Sequence, residues 1–200
     1  MDRIERKERV IEIIESGVRI IAIDGRCASG KSTLSEDVKT EVDVNIVKMD
    51  DFFLPLSLRT PERFALPGGN VHYERFLDEV IKGILSGDDF SYRVFSCSKM
   101  DYEGEKKILS SRPTIVEGSY ALHPSFPHYW DKAIFLDVEK EEQLKRLEKR
   151  CPEKLEAFKN KWIPLEEEYF SYYSIPSKAD EILLCEVSEN AKVFQNCFAM

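Results

Sequence analysis

The sequence predicts an α/β fold in three layers, with a mostly parallel five-stranded sheet in the middle. Three observations predict it. Short apolar runs rich in β-branched residues recur along the chain, and strands buried on both faces of a parallel sheet read this way. Segments of helical composition alternate with those runs, which implies βαβ units. The length, 200 residues, suits one domain spanning 1–200 with a single core.

Each element follows from local pattern. Residues 2–15 read as a charged amphipathic helix, with Ile4, Ile11 and Ile14 near helical spacing. Residues 18–24 form the first buried strand, 25–30 a loop, 31–41 a helix and 44–49 the second strand. Pro55, Pro61, Pro67, Gly68 and Gly69 make 54–72 a long irregular loop, and such loops in compact domains are often functional. Residues 73–85 read as a helix, and 92–96 pairs with 106–109 in a small hairpin. The third and fourth core strands are 113–117 and 133–138. Helices at 139–150 and 153–173 break at Pro152, and 181–185 is the fifth strand. Ligands in open parallel sheets bind beyond the carboxyl ends of the strands.

Composition narrows the function classes. The net charge is −8 and the pI is near 5.1, which argues against a general nucleic-acid binder. The first residues contain no apolar run of the secretory kind. No stretch approaches the ~20 apolar residues of a membrane span. Five scattered cysteines (Cys27, Cys97, Cys151, Cys185, Cys197) without CxxC spacing imply reduced thiols in a cytoplasm. No motif encodes an oligomeric state, and a homo-oligomer is compatible with the sequence.

Gly25-Arg26-Cys27-Ala28-Ser29-Gly30-Lys31-Ser32-Thr33 matches G-x-x-x-x-G-K-[ST] in full. A strand precedes it and a helix follows, as a phosphate cradle requires. Glycines let the backbone curl so that successive N–H groups converge on phosphate oxygens. The helix adds its positive end. Gly25, Ala28, Ser29, Gly30, Lys31, Ser32 and Thr33 are thus the expected binding loop for a nucleoside triphosphate, with ATP as co-substrate. Lys31 brings a mobile charge to the β- and γ-phosphates, and the Ser32 hydroxyl suits Mg²⁺.

Two acids stand at strand ends. Asp50 ends the second strand, where a carboxylate accepts the proton of an attacking hydroxyl. Glu117 ends the third and suits Mg²⁺, directly or through water. Gly118 after it favours close backbone approach.

With these residues in place, the chain resembles the uridine kinase and phosphoribulokinase family of P-loop kinases. The resemblance rests on Asp24-Gly25 through Thr33, Asp50-Asp51-Phe52-Phe53, Val116-Glu117-Gly118 and the later arginines, and covers roughly 18–184. It implies a P-loop NTPase fold with an acceptor-side hairpin and a helical lid at about 139–162. It also implies phosphorylation of a small-molecule hydroxyl, with a nucleoside as the acceptor. The family's base matches Asp50 and its acid near Mg²⁺ matches Glu117. Its basic lid helix matches 143–150, where Arg146 and Arg150 lie four apart on one face and neutralise the charge of transfer.

The acceptor region departs from the family. An aspartate that grips ribose hydroxyls is replaced in Asn70-Val71-His72 by His72. Near the base, Tyr92 is kept, Arg93 replaces an aspartate and Cys97 falls where a histidine is expected. Arg93 pairs an acidic group of the acceptor if it faces the pocket, and otherwise a nearby acid of the chain. Phe53, Arg63, Tyr73 and Tyr120 also stand in segments suited to line the pocket, although Arg63 equally suits loop packing. The alternative acceptors are nicotinamide riboside, a pantothenate-like molecule or a sugar acid. The alternative class is an ATP-binding regulator without turnover.

Overall fold

The computed structural model describes residues 1–185; the segment 188–200, expected beside the adenine, and Cys197 lie outside the described residues. Five strands form one sheet in the order β2-β5-β1-β6-β7, and every pairing in it is parallel. They are β1 (Ile20–Gly25), β2 (Asn45–Lys48), β5 (Thr114–Glu117), β6 (Lys132–Val138) and β7 (Glu181–Cys185). The remaining two, β3 (Phe90–Ser96) and β4 (Asp101–Ile108), make an antiparallel hairpin longer than the sequence suggests.

Alternation along the strands divides the core. Ile21, Ile23, Ile115, Ile134 and Leu136 pack with Val10, Ile13, Leu34 and Val38 of two helices, Arg3–Glu15 and Lys31–Lys39. Their neighbours Ala22, Val116, Ala133 and Phe135 join Phe76, Val80, Tyr169 and Phe170 on the opposite face. Side chains of one strand point alternately to the two faces, so a sheet covered on both sides must be apolar throughout. That is why these strands read as continuous apolar runs.

The helices on the second face are less regular than their sequence suggests. The helix from Tyr73 passes through a π-turn at Leu77–Ile81 before ending at Lys82–Ser86. The segment expected as a lid, about 139–162, has a helix Lys140–Arg150, a 3-10 turn Pro152–Lys154 at the expected break, and a π-turn, Phe158–Trp162, that leads into a helix, Ile163–Tyr172. Pro164 follows that π-turn. Its missing N–H accounts for an interrupted ladder there.

One glycine fixes how the first strand meets its neighbour. At Gly25 φ is +144°, and a Cβ there would lie 2.1 Å from the Leu136 carbonyl oxygen. Gly25→Ala is therefore expected to destabilise the protein by about 2 kcal/mol or more, from strain and clash together. Urea unfolding measures it, and a loss under about 0.5 kcal/mol would contradict this packing.

Candidate active site

The phosphate loop joins β1 to the helix Lys31–Lys39. Ala28 and Gly30 take φ values of 59° and 100°, the left-handed turns that let N–H groups converge inward. Gly30 caps the helix without a side-chain bond, so the first N–H groups of the helix remain for a ligand. Lys31 is buried, and its ammonium donates to the carbonyls of Gly25 and Arg26 at 2.7 and 2.8 Å. It lies across the cradle where a phosphate would draw it.

The floor of the loop is braced from below. Asp24 is fully buried and accepts from the N–H groups of Gly25, Tyr120 and Leu122 and from the Tyr169 hydroxyl, at 2.7 to 3.1 Å. Burial, only partly offset by these bonds and by Lys31, raises its pKa to about 6. Asp24 thereby ties the loop to the segment after β5 and to the helix Ile163–Tyr172.

Around the cradle stands a pocket of about 430 Å³ lined by Lys31, Ser32 and Thr33, by Asp50 and Glu117, and by Arg150 of the lid. Ser32 and Glu117 are hydrogen-bonded to each other. Burial raises the Glu117 pKa, while the charge of Lys31 and the Ser32 hydroxyl lower it. A hydroxyl and a carboxylate are hard oxygen donors and fit Mg²⁺, which takes few protein ligands and completes its shell with phosphate and water. No group of three or more His, Cys, Asp or Glu suited to a metal occurs among the described residues. The lid reaches the loop through Arg146, whose Nη1 donates to the carbonyls of Ala28 and Ser29 at 3.2 and 3.4 Å. Arg146 also pairs with Glu142 at 2.8 Å, as its spacing on the helix suggests.

Asp50 sits on a 3-10 turn, Met49–Phe52, directly after β2. Burial pushes its carboxyl well above the usual range; the charges of Glu117 and Asp51 add to the effect and Lys31 opposes it. Its neighbour Asp51 is clamped. The Asp51 carboxylate accepts from the Tyr92 hydroxyl at 2.9 Å and from Lys106 at 2.7 Å, and Arg75 donates to its backbone carbonyl. The paired aspartates thus divide the work, one held by the scaffold and one left to face the pocket.

Asp50 also lines a second pocket, of about 350 Å³. Phe53 and Tyr120, both expected there, belong to its wall. Asn70, Ser119, Phe158, Trp162 and Glu166 belong to it as well and were not foreseen from the sequence. Their signal was faint. Trp162, Glu166, Tyr169 and Tyr173 recur on one helix face, so Glu166 is the polar member of a buried stripe.

Other expected acceptor residues stand elsewhere. Arg93 is exposed and bound to Glu79 through Nε at 2.8 Å and through Nη2, so the acid it meets belongs to the chain. Strand alternation explains this: Tyr92 turns inward, so Arg93 must turn outward. Arg63 packs the loop. It pairs with Glu74 at 2.6 Å, donates to the carbonyls of Gly69 and Val71, and lies over the Tyr73 ring. Tyr73 stacks on His123 and is outside the pocket wall. His72 precedes the first turn of its helix, its N–H bonded to Phe52, and burial lowers its pKa. Tyr92 supports Asp51, and Cys97 lies near Arg59; neither lines the pocket.

No family model matches the chain. Among solved structures it superposes with a TM-score of 0.68 on one described as a "Possible Uridine Kinase" from Bacillus stearothermophilus, at 16% identity, covering 90% of this chain and 97% of that one. A second, from Thermus thermophilus, gives a TM-score of 0.52 at 14% identity over 86% and 90% of the two chains. Identities this low speak for the fold alone, a parallel five-stranded sheet covered by helices on both faces.

Proposed function

We propose that this protein is an ATP-dependent kinase for a hydroxyl of a small molecule, with a nucleoside as acceptor. The observation that carries the reading is the position of Asp50, shared by the phosphate pocket and the second pocket. A carboxylate between a phosphate cradle and a second, open pocket is what in-line transfer to a bound alcohol needs.

The acceptor oxygen attacks the γ-phosphorus, its proton passes to Asp50, and the bond to the β–γ bridging oxygen breaks to release ADP. Lys31, Arg146 and Arg150 stabilise the spreading negative charge from the cradle side. Ser32 and Glu117 would hold Mg²⁺, which when bound supplies further neutralisation at the phosphates.

ADP release with Mg²⁺–ATP across uridine, cytidine, other nucleosides, pantothenate and glycerate tests the reading. Acceptor-dependent ADP release with a nucleoside is the expected result. Release with pantothenate or glycerate alone would retain the kinase and remove the nucleoside. ATP binding without release in any mixture would overturn both.

The raised pKa of Asp50 adds a prediction. The base acts deprotonated, so kcat/KM rises with pH as Asp50 loses its proton. The acid limb is expected well above 3.8, the ordinary value for this group. A pH–rate profile with its limb at the ordinary carboxylate value would contradict the burial described.

A further inference from the structure

The second pocket has a chemical bias. Aromatic rings stand on two sides, Phe53 and Tyr120 from the core and Phe158 and Trp162 from the lid. Its described lining contains two carboxyl groups, Asp50 and Glu166, and no lysine, arginine or histidine. The basic side chains in the neighbourhood are directed elsewhere. Lys31 and Arg150 line the phosphate pocket, and Arg63 and Arg93 are bound by Glu74 and Glu79. Lys161 sits over the Trp162 ring at 4.5 Å and is not part of the lining.

Glu166, like Asp24 and Glu117, is a buried acid with neutral hydrogen-bond donors; unlike Asp24, it lines the second pocket. It is 7% exposed, and its described hydrogen bonds come from neutral donors. Oε1 accepts from the Ser119 hydroxyl at 2.8 Å, and Oε2 from the Cys27 N–H at 2.9 Å. By contrast, its neighbour Glu167 pairs with Arg26 at 2.6 Å. The Cys27 thiol also bonds to Glu166; a carboxylate has about four lone-pair sites, and Glu166 belongs to the pocket lining. Aromatic faces around it attract cations.

We infer that the pocket selects hydroxyl-bearing acceptors whose ring carries a positive charge, with Glu166 as the counter-charge that determines specificity. The inference rests on the kinase reading of the same site. It disfavours anionic acceptors, whose charge would meet Asp50 and Glu166 in a cavity whose described lining holds no cation.

Ribosides matched in shape and differing in charge test it. 3-Methylcytidine and a pyridinium riboside are cationic at pH 7, cytidine and uridine neutral, and orotidine anionic. Two readouts are used: ADP release, and quenching of tryptophan fluorescence in the presence of a non-hydrolysable ATP analogue. The cations are expected to exceed the neutral ribosides by about tenfold or more in kcat/KM and in affinity, with orotidine weakest. Glu166→Gln keeps an acceptor for the Cys27 N–H and should collapse the cation-to-neutral ratio about tenfold. Equal kcat/KM for cations and neutrals, or a ratio unchanged in Glu166→Gln, would overturn the inference. Cation-selective binding with no ADP release would overturn the kinase reading and retain the selectivity. Neither turnover nor selective binding would overturn both. Because the ratios are read first on the unaltered protein, a poorly folded variant does not remove the test.

Discussion

Asp50→Asn is expected to lower kcat by about 10²- to 10⁴-fold, the range a positioned general base contributes. The substitution keeps the shape of the side chain and removes only its capacity to take a proton. The turn that carries it should survive, because Asp51 anchors that turn through Tyr92, Lys106 and Arg75. ATP affinity should change little, since the cradle is made of loop N–H groups and Lys31. Steady-state ADP release and calorimetric ATP binding separate the two effects. A variant that turns over normally would remove Asp50 from the chemistry. A variant that no longer binds ATP would place Asp50 in nucleotide binding instead.

The residues of the phosphate cradle were legible because their chemistry depends on the backbone. Gly25, Gly30, Lys31 and Ser32 must stand at fixed spacing, and a strand must precede them. Asp50 and Glu117 were legible for a related reason: each follows an apolar run that could only be a buried strand, so each had to stand at a strand end. The wall of the second pocket is different. Glu166 lies in Glu166-Glu167-Glu168, which reads as a solvated charge run, yet only Glu166 of the three is buried. Which glutamate turns inward depends on the phase of a helix interrupted by a π-turn, and no local motif sets that phase. Arg93 is the opposite case. It stands where the resembled family has an aspartate, which left an acceptor or an acid of the chain as its partner; the period of two along β3 turns it away from Tyr92, and Glu79 is the partner.

The fold also needed information the motif does not contain. The match G-x-x-x-x-G-K-[ST] says nothing about what supports the loop from below. Asp24, at the end of β1, does so by joining three N–H groups to the Tyr169 hydroxyl, 145 residues later in the chain. Tyr169 occupies the same buried stripe as Trp162 and Glu166. One helix therefore supplies a wall of the second pocket, the carboxylate on the Cys27 N–H and the hydroxyl on Asp24. Two side chains of this helix, Glu166 and Tyr169, thus touch the phosphate loop and the acid beneath it.

Asp24→Ala should consequently be among the most destabilising single changes, at about 3–5 kcal/mol. It leaves four buried donors without an acceptor and opens a cavity under the loop. At about 2–4 °C per kcal/mol for a chain of this size, Tm should fall by roughly 6–20 °C. Asp24→Asn should also destabilise, because its amide N–H₂ would face donors on whichever side it took: Gly25 and Tyr120 share Oδ1, and Leu122 and Tyr169 share Oδ2. The pH dependence has a definite sign. The folded pKa is about 6 against 3.8 for the unconstrained group, so the native state holds this proton more tightly than the unfolded state. The group's contribution to stability is therefore greatest below 3.8, falls as pH rises through that interval, and is level above about 6. Urea unfolding of the protein and of Asp24→Asn from pH 4 to 8 isolates the effect. The stability difference between them should shrink up to about pH 6 and then stay constant. A difference that grew over the same interval would mean that the four hydrogen bonds outweigh burial and that Asp24 is held as a stabilised anion.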